Sequence, residues 1–472
     1  MVKYKNILII GAGNAGKLLL KDIEKYHPDC KVIGFADDEI KEVNGTKILG
    51  KINELSKINK IYKVDEMIVA IPSINGELMR RILLENIKNR TSIKIVPRNQ
   101  RIISSSEVRY DEVKNVNVED FLGRQFVKKN IERIKKFYKN KTVLVTGGAG
   151  SIGSEIVKQL IDLEVRKVIV YDNSEYLIFN LDNALRELGV KDRYKLIIGN
   201  ILNRNKFNSI VKEEKPDVIF HAAAYKHIHL MEENADEAIL NNVIGTRNVI
   251  NAAIENKVKH FTFISTDKVV NPTSIMGATK KTCEFYIKSI NSKDVKLNIV
   301  RFGNVINSNG SVLPFFEKQI ENCKYVTVTH KDMKRFFMSI REAAQLVIES
   351  TALSNKNSIH ILNMGELLKI YEIAQCLIRS KNLIPGEDVE VKFVGIRKGE
   401  KMTEELYTDI EKQSLNKTQT KNLLILKNFE KCPFDINEVI RELEKIIENR
   451  ADSVKEDLKN YLKKLFPSLK LK

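Results

Sequence analysis

Apolar and polar segments alternate along the sequence in the order of strand–helix units. The apolar run Lys5–Ile10 leads into the glycine-rich segment Gly11–Gly16, and Lys17–Tyr26 has the spacing of an amphipathic helix. Further strands are predicted at Lys31–Phe35 and Glu66–Ala70, and a helix at Gly76–Asn89. The sequence therefore predicts a small N-terminal α/β domain over residues 1–97.

The same pattern begins again at Lys141, after a polar connector over 98–140 that contains a basic helix near Asn130–Tyr138. Strands are predicted at Thr142–Thr146, Val168–Tyr171, Lys195–Ile198, Val218–His221, His260–Ile264 and Leu297–Phe302. Strands that alternate with helices predict a parallel sheet covered on both faces. We expect an α/β protein with two tandem Rossmann-like domains.

Beyond the second predicted sheet the pattern becomes irregular. We expect the core of the second Rossmann-like domain over 141–303. A smaller C-terminal substrate-binding cap, together with the remaining core elements, is expected over 304–450. Residues 451–472 predict a lysine-rich helical tail, for which a solvent-exposed helix is a simpler interpretation than a membrane contact.

Composition excludes several classes of protein. The 472 residues are 43% hydrophobic and 30% charged, which is globular composition. The five cysteines lie far apart, so neither a metal clip nor a disulfide framework is expected. The net charge of +18 favours anionic ligands. Without zinc-finger spacing or a signal-peptide or membrane-spanning pattern, we expect a cytoplasmic protein without a nucleic-acid partner, an integral membrane segment or a metal site.

The second glycine motif predicts a dinucleotide site. Gly147, Gly150 and Gly153 follow a strand and open a helix, where backbone N–H groups and the helix dipole favour a diphosphate. Asp172 ends the next strand, where a carboxylate would bind a ribose hydroxyl and repel a 2′-phosphate. We therefore predict NAD as the cofactor. The remaining predicted contacts are Ser151, Ile152, Asn200, Ile201 and Ala222.

The first glycine motif leaves two alternatives open. Asp37 and Asp38 occupy the equivalent place, yet no catalytic residues follow them. This domain is either a nucleotide site or a structural or regulatory domain.

Ser265–Lys268 and Met276–Lys280 resemble the catalytic region of the extended short-chain dehydrogenase/reductases. Met276 stands where that superfamily has its tyrosine, four residues before the lysine, Lys280. A thioether carries no ionisable proton, so another group must act as acid or base.

A wider set of motifs is similar to the UDP-N-acetylglucosamine 4,6-dehydratases of bacterial polysaccharide and glycan biosynthesis. These motifs are Thr142–Gly153, His221–His227, Ser265–Lys268, Asn271–Lys280, Arg301–Asn304, Arg335–Met338 and Gly399–Lys401. Two departures are His229, where the family commonly has proline, and the absence of the N-terminal membrane helices of larger members. Attachment at the periphery of the membrane stays an alternative.

The resemblance implies a redox-neutral reaction on a UDP-sugar: oxidation at C4, loss of water across C5 and C6, and reduction at C6. It implies Asp267 as the acid at C6 and Lys268 as the base at C5, the latter with a lowered pKa. Thr266 would serve the 4-hydroxyl, Lys280 the nicotinamide ribose, and Met276 the tyrosine position. Implied substrate contacts are Lys226, Asn304, Arg335, Arg397 and Glu400, and a homo-oligomer is expected.

Two other functions stay open from the sequence. A nucleotide-sugar 4-epimerase would share the sheet, the cofactor and the oxidation at C4. A non-catalytic protein that senses NAD or a nucleotide would explain Met276 and the duplicated domain, although it would not need Asp267, Lys268 and Lys280.

Overall fold

Strands followed by helices recur along the chain, as the hydrophobic pattern predicts. The computed structural model describes residues 4–40, 43, 45–97, 107–123, 131–354, 357–418, 420, 422–426, 429–449 and 453–470. These residues form two units. The first takes its residues from 1–126, 310–333 and 368–395, and the second from 127–309, 334–367 and 396–472.

The strands are, in chain order, β1 (Lys5–Ile10), β2 (Cys30–Ala36), β3 (Ile48–Gly50), β4 (Glu66–Val69), β5 (Ser92–Ile95), β6 (Lys114–Asn115), β7 (Thr142–Thr146), β8 (Lys167–Asp172), β9 (Tyr194–Ile198), β10 (Val218–His221), β11 (His260–Ile264), β12 (Lys296–Arg301), β13 (Asn304–Ile306), β14 (Tyr325–Val328), β15 (Lys334–Ser339), β16 (Ser358–Leu362), β17 (Leu367–Lys369), β18 (Glu390–Phe393), β19 (Leu415–Lys417) and β20 (Leu423–Leu426).

The α-helices are Asn14–Tyr26, Leu55–Tyr62, Gly76–Glu85, Val118–Leu122, Ile131–Tyr138, Ser151–Asp162, Glu175–Glu187, Arg204–Glu214, Ile228–Glu233, Ala235–Ile239, Gly245–Glu255, Ile275–Ser289, Val312–Cys323, Ile340–Leu353, Ile370–Ser380, Asp409–Gln413, Ile436–Glu448 and Val454–Leu465. Short 3₁₀ turns lie at Ile52–Glu54, Tyr110–Glu112, Lys191–Arg193 and Asp267–Val269, and a π-helical turn spans Leu240–Ile244.

The sheet of the first unit has the order β3-β2-β1-β4-β5-β6. Its strands are parallel except β6, which pairs antiparallel with β5. The last four residues of β1 are apolar: Ile7, Leu8, Ile9 and Ile10 have no exposed surface, as expected for a strand covered on both faces.

The sheet of the second unit has the order β19-β20-β16-β12-β11-β10-β7-β8-β9. The strands from β9 to β16 are parallel, while at the other edge β20 pairs antiparallel with β16, and β19 pairs antiparallel with β20. The section from β9 to β12 has the Rossmann order 3-2-1-4-5-6. The predicted α/β class with parallel sheets is confirmed, whereas the domain boundaries read from the sequence stay predictions.

The C-terminal helix Val454–Leu465 differs from the solvent-exposed helix expected for the tail. Leu458 and Leu462 are fully buried, and the Phe466 ring stacks at 6.5 Å from that of Phe285. Leucines four residues apart share one helix face, and burying each contributes roughly 1.5–3 kcal/mol. The lysines occupy the other face. The lysine-rich composition of the segment therefore did not reveal that one face of this helix packs in the core.

Two predicted segments fall partly outside the described residues: the connector at 98–106 and 124–130, and the ends of the tail at 451–452 and 471–472. Over the described part of the chain, none of the helices has both the length and the apolar composition to span a bilayer.

Candidate active site

The second glycine turn joins β7 to the helix Ser151–Asp162 at the carboxyl end of the sheet. Gly147 has φ +61°, and a Cβ at this position would lie 2.6 Å from the backbone N of Ala223. A Cβ at Gly153 would lie 2.1 Å from the Gly147 carbonyl oxygen, whereas one at Gly150 would meet that oxygen at 3.3 Å. Packing therefore requires glycine at 147 and 153, while at Gly150, at the helix N-terminus, a Cβ would make one close contact.

Asp172 supports this turn from the end of β8. Its carboxylate accepts the backbone N–H of Ala149 at 3.0 Å and that of Ser174 at 3.0 Å. A cleft of about 190 Å³ opens beside it. Six predicted cofactor residues line this cleft: Gly147, Gly150, Asp172, Asn200, Ile201 and Ala222.

The other predicted cofactor residues lie around the turn. Ser151, Ile152 and Gly153 form the first turn of the helix. The Ser151 hydroxyl accepts the backbone N–H of Asn309 at 3.0 Å, which ties the residues after β13 to the helix N-terminus. Lys280 is not among the residues that line the cleft.

Asp267 lies just past the end of β11, where the strand gives way to the 3₁₀ turn Asp267–Val269. Asp267 is fully buried. Its Oδ1 accepts hydrogen bonds from the Thr266 hydroxyl at 2.9 Å and from Nζ of Lys268 at 2.9 Å. Its Oδ2 has no hydrogen-bond partner among the described residues. Since the strand has ended, adjacent acidic and basic side chains meet instead of facing opposite ways.

The pKa of Lys268 departs from the expectation in direction. Nζ of Lys268 also donates to Oδ1 of Asn304 at 3.2 Å. Burial lowers the pKa of Lys268, but the carboxylates of Asp267 and Glu404 outweigh burial and raise that pKa above its ordinary value. The expectation of a lowered pKa is therefore wrong.

The helix Ile275–Ser289 docks directly on this turn. A Cβ at Gly277 would lie 2.5 Å from the Lys268 carbonyl oxygen, so the close approach requires glycine. Met276 is 4% exposed and packs in the hydrophobic core of the second unit. Lys280 is also buried, with Nζ 4.0 Å from the centroid of the Phe263 ring, and burial lowers its pKa to about 8.

His221 has a structural position. It is fully buried, with its ring nitrogens 2.6 Å from Oγ1 of Thr146 and 2.9 Å from Oγ1 of Thr246. Burial and the neighbouring charge of Lys280 lower the pKa of His221 to about 3, so the ring is neutral near pH 7. His229 is exposed, with its ring 6.2 Å from that of His227.

Asn242 organises the site and was missed in the sequence. It lies in the π-helical turn Leu240–Ile244, and its side chain accepts the N–H of Tyr225 at 2.8 Å and donates to the carbonyl of Tyr225 at 3.0 Å. It also donates to the Thr279 hydroxyl at 3.1 Å. Asn242 thus joins the loop after β10 to the helix Ile275–Ser289, and nothing in the local sequence distinguishes a π-helical turn from an α-helix.

The predicted substrate residues have unlike environments. Lys226 donates to the Ser308 hydroxyl at 3.4 Å. Arg335 is buried and donates to the carbonyls of Lys334 at 2.8 Å and Met402 at 3.3 Å. Arg397 is exposed, and its backbone N–H donates to the carboxylate of Glu400 at 3.3 Å.

A buried ionic network holds the neighbouring backbone in place. The Arg301 guanidinium binds Glu284 at 2.6 and 2.8 Å and Glu411 at 2.7 and 3.0 Å, with all three side chains fully buried. Ser265 donates to Glu284 at 2.8 Å. Burial raises the pKa of Glu284, but Arg301 outweighs it and lowers that pKa to about 2. This network connects the end of β11 to the helix Ile275–Ser289, so the elements before and after the 3₁₀ turn Asp267–Val269 are held together.

A parallel sheet in the order 3-2-1-4-5-6 with a glycine turn after its first strand and an Asp at the end of its second is the architecture of the Rossmann dinucleotide-binding fold. The profile of one family, described as polysaccharide biosynthesis protein, matches residues 143–428. Capsular polysaccharide biosynthesis protein CapD of Staphylococcus aureus is 38% identical over 416 residues, which are 86% of this chain and 69% of the relative. The chain therefore belongs to the polysaccharide biosynthesis protein family.

Two further similarities each cover more than half of the chain. A UDP-N-acetylglucosamine 4,6-dehydratase (inverting) of Campylobacter jejuni is 32% identical over 273 residues, which are 57% of this chain and 77% of that protein. The crystal structure of Pen from Bacillus thuringiensis matches with 32% identity and a TM-score of 0.57, over 66% of this chain and 100% of Pen.

Proposed function

We propose that the chain is a nucleotide-sugar 4,6-dehydratase that uses NAD to convert UDP-N-acetylglucosamine to a UDP-4-keto-6-deoxy-N-acetylhexosamine for cell-surface polysaccharide or glycan biosynthesis. The hydrogen-bonded pair of Asp267 and Lys268 carries the proposal. Loss of water across C5 and C6 needs a base for the C5 proton and an acid for the departing hydroxyl, and this pair offers both within 2.9 Å.

The residues around the cleft fit NAD. Gly150 leaves room for a diphosphate at the N-terminus of the helix Ser151–Asp162. Asp172 would hold the ribose, because a carboxylate has about four lone-pair sites and two backbone N–H groups leave capacity for a hydroxyl. When bound, NAD supplies a hydride acceptor for oxidation at C4 and a hydride donor for reduction at C6.

The raised pKa of Lys268 is compatible with a role as base if the pair shares one proton. Transfer of a proton from Nζ of Lys268 to Oδ1 of Asp267 breaks one N–H bond, forms one O–H bond and leaves the net charge of the pair at zero. The products are a neutral amine, which can take the C5 proton, and a neutral acid, which can protonate the leaving hydroxyl. A single transfer thus prepares both groups without exchange with solvent.

The experiment is incubation of the purified protein with UDP-N-acetylglucosamine and NAD, followed by mass spectrometry of the nucleotide sugar. We expect loss of one water and no net change in NAD. A new 4-epimer of unchanged mass would instead show a 4-epimerase. Untouched substrate together with tightly bound NAD would support the non-catalytic sensor.

The choice of NAD over NADP is tested at Asp172. Replacing it (Asp172→Ser) removes the charge that would repel a 2′-phosphate, so the ratio of NADP- to NAD-supported turnover should rise about tenfold or more. Asp37→Ser is the matched control, because Asp37 directly follows the equivalent strand of the first unit. Tighter binding of NADP than NAD by the unaltered protein would overturn this assignment.

A further inference from the structure

The segment Gly399–Glu405 contacts both Val270, the residue after the 3₁₀ turn Asp267–Val269, and the strand β15. Nζ of Lys401 donates to the carbonyl of Val270 at 2.6 Å, just after the turn. The backbone N–H of Lys334 donates to the carbonyl of Met402 at 2.9 Å, which ties the segment to β15. A segment far away in sequence is therefore held next to Asp267 and Lys268.

This segment brings a buried carboxylate, Glu404, to the pair. Glu404 is 2% exposed, and its Oε1 lies 3.9 Å from Nζ of Lys268 and 3.9 Å from Nε of Arg335. Its Oε2 has no hydrogen-bond partner among the described residues. A buried carboxylate with an unpaired oxygen is costly, so packing alone does not account for a glutamate here.

We infer that Glu404 is a positioning residue of the acid–base pair, whose negative charge controls how the shared proton is distributed between Lys268 and Asp267. The inference rests on the proposed function, because the pair is taken to be the acid and base of the elimination. Glu404 is assigned no contact with the substrate or the cofactor. It acts through the charge of Lys268.

Four charged groups face Lys268: Asp267 beside it, Arg335 from β15, and Lys401 and Glu404 from the segment Gly399–Glu405. Besides burial, which lowers the pKa of Lys268, the two carboxylates raise it and Arg335 lowers it. Removal of the Glu404 charge leaves the two cationic neighbours opposed by Asp267 alone. Lys268 should then release its proton at lower pH, and the neutral form of the pair should gain population.

The substitution Glu404→Gln keeps the shape of the side chain and removes its charge. We expect both limbs of the pH profile of kcat to move to lower pH, because the lost charge disfavours protonation of the pair at every step. Glu405→Gln is the matched control: Glu405 is the next residue, and its side chain is 53% exposed. The control should keep the wild-type profile. A Glu404→Gln enzyme with a lower kcat but unmoved limbs would show a structural role and overturn the inference.

A second measurement does not depend on turnover. Acylation of Lys268 by acetic anhydride, followed across pH by peptide mass spectrometry, reports its neutral fraction. At roughly pH 8 labelling should be about threefold or more faster in Glu404→Gln than in the wild type. If Glu404→Gln does not fold, Glu404→Asp, which withdraws the carboxylate by one methylene, should accelerate labelling in the same direction by less. Unchanged labelling in a folded variant would overturn the inference even if the wild type is a dehydratase. A wild type that forms no product would instead overturn the proposed function and leave the labelling result valid.

Discussion

Gly11 and Gly147 both begin a turn that joins the first strand of a parallel sheet to a helix, and both have positive φ, +101° and +61°. In each turn a Cβ on the last glycine, Gly16 or Gly153, would lie 2.1 Å from the carbonyl oxygen of the first. In each, an aspartate at the end of the next strand accepts a backbone N–H of the turn, from Ala12 at 2.7 Å or Ala149 at 3.0 Å.

The two regions differ in what the neighbouring strands present. In the second unit the Asp267–Lys268 pair follows β11, whereas in the first unit β5, which has the same place in the sheet order, is followed by Val96 and Pro97, which supply neither an acid nor a base. Asp37 also accepts the N–H groups of Glu39 and Ile40, both at 2.8 Å, so its carboxylate is more fully used by backbone than that of Asp172. The glycine turn is therefore a scaffold, and the residues on adjacent strands decide whether chemistry can occur.

The largest effect should come from the acid–base pair. Asp267→Asn and Lys268→Met should each reduce turnover by about a hundredfold or more, because each removes a proton carrier, while binding of NAD and the UDP-sugar persists. In heavy water the wild-type product should carry deuterium at C5, since the group that reprotonates C5 exchanges with solvent. Normal C5 exchange in Lys268→Met would exclude Lys268 as the base.

A second pair of variants compares the turns directly. Gly13 and Gly150 have φ of −69° and −68°, so alanine suits the backbone at both, and a Cβ would meet nothing within 4 Å at Gly13. Gly150→Ala should weaken NAD binding by about tenfold or more, because a methyl group would occupy the approach to the diphosphate. Gly13→Ala should leave NAD affinity unchanged in calorimetry. Loss of a second NAD equivalent in Gly13→Ala would show that the first turn also binds the dinucleotide.

Much of this architecture follows from sequence because each feature depends on local pattern. β1, β7, β10 and β11 have the predicted bounds, since short apolar runs between polar turns specify them. Gly147, Gly150 and Asp172 in the cleft also follow, because glycine spacing and a strand-end aspartate are encoded within one βαβ unit.

The features that were missed depend on contacts between distant segments. Glu404 reaches Lys268 across more than a hundred residues, and Asn242 acts from a π-helical turn that resembles ordinary helix in sequence. The direction of the Lys268 pKa was wrong for the same reason: burial alone would lower it, and the second carboxylate that outweighs burial comes from a remote segment.

A smaller effect is expected at Asp37. Burial raises the pKa of Asp37, but three backbone N–H groups outweigh it and hold that pKa below its ordinary value. Since the folded value lies below the unfolded one, the stabilisation is present above the unfolded pKa and is lost as pH falls through the folded pKa. Asp37→Asn should therefore reduce the free energy of unfolding by about 1–2 kcal/mol at neutral pH. Chemical denaturation should show this difference shrinking in acid, and a difference independent of pH would contradict the assignment.

The smallest effect is expected at Met276 of the second unit, because its side chain has no ionisable proton that could take part in the reaction. Met276 shares a helix face with Lys280 and lies in the core with 4% exposure, so its contribution is packing. Met276→Leu conserves volume and should change the free energy of unfolding by less than about 1.5 kcal/mol. Turnover should stay within about threefold of the wild type, because no proton carrier is lost. If Met276→Leu were as inactive as Asp267→Asn although its thermal unfolding were unchanged, the acid–base pair would not be the active centre, and the contrast between the two glycine turns would need another cause.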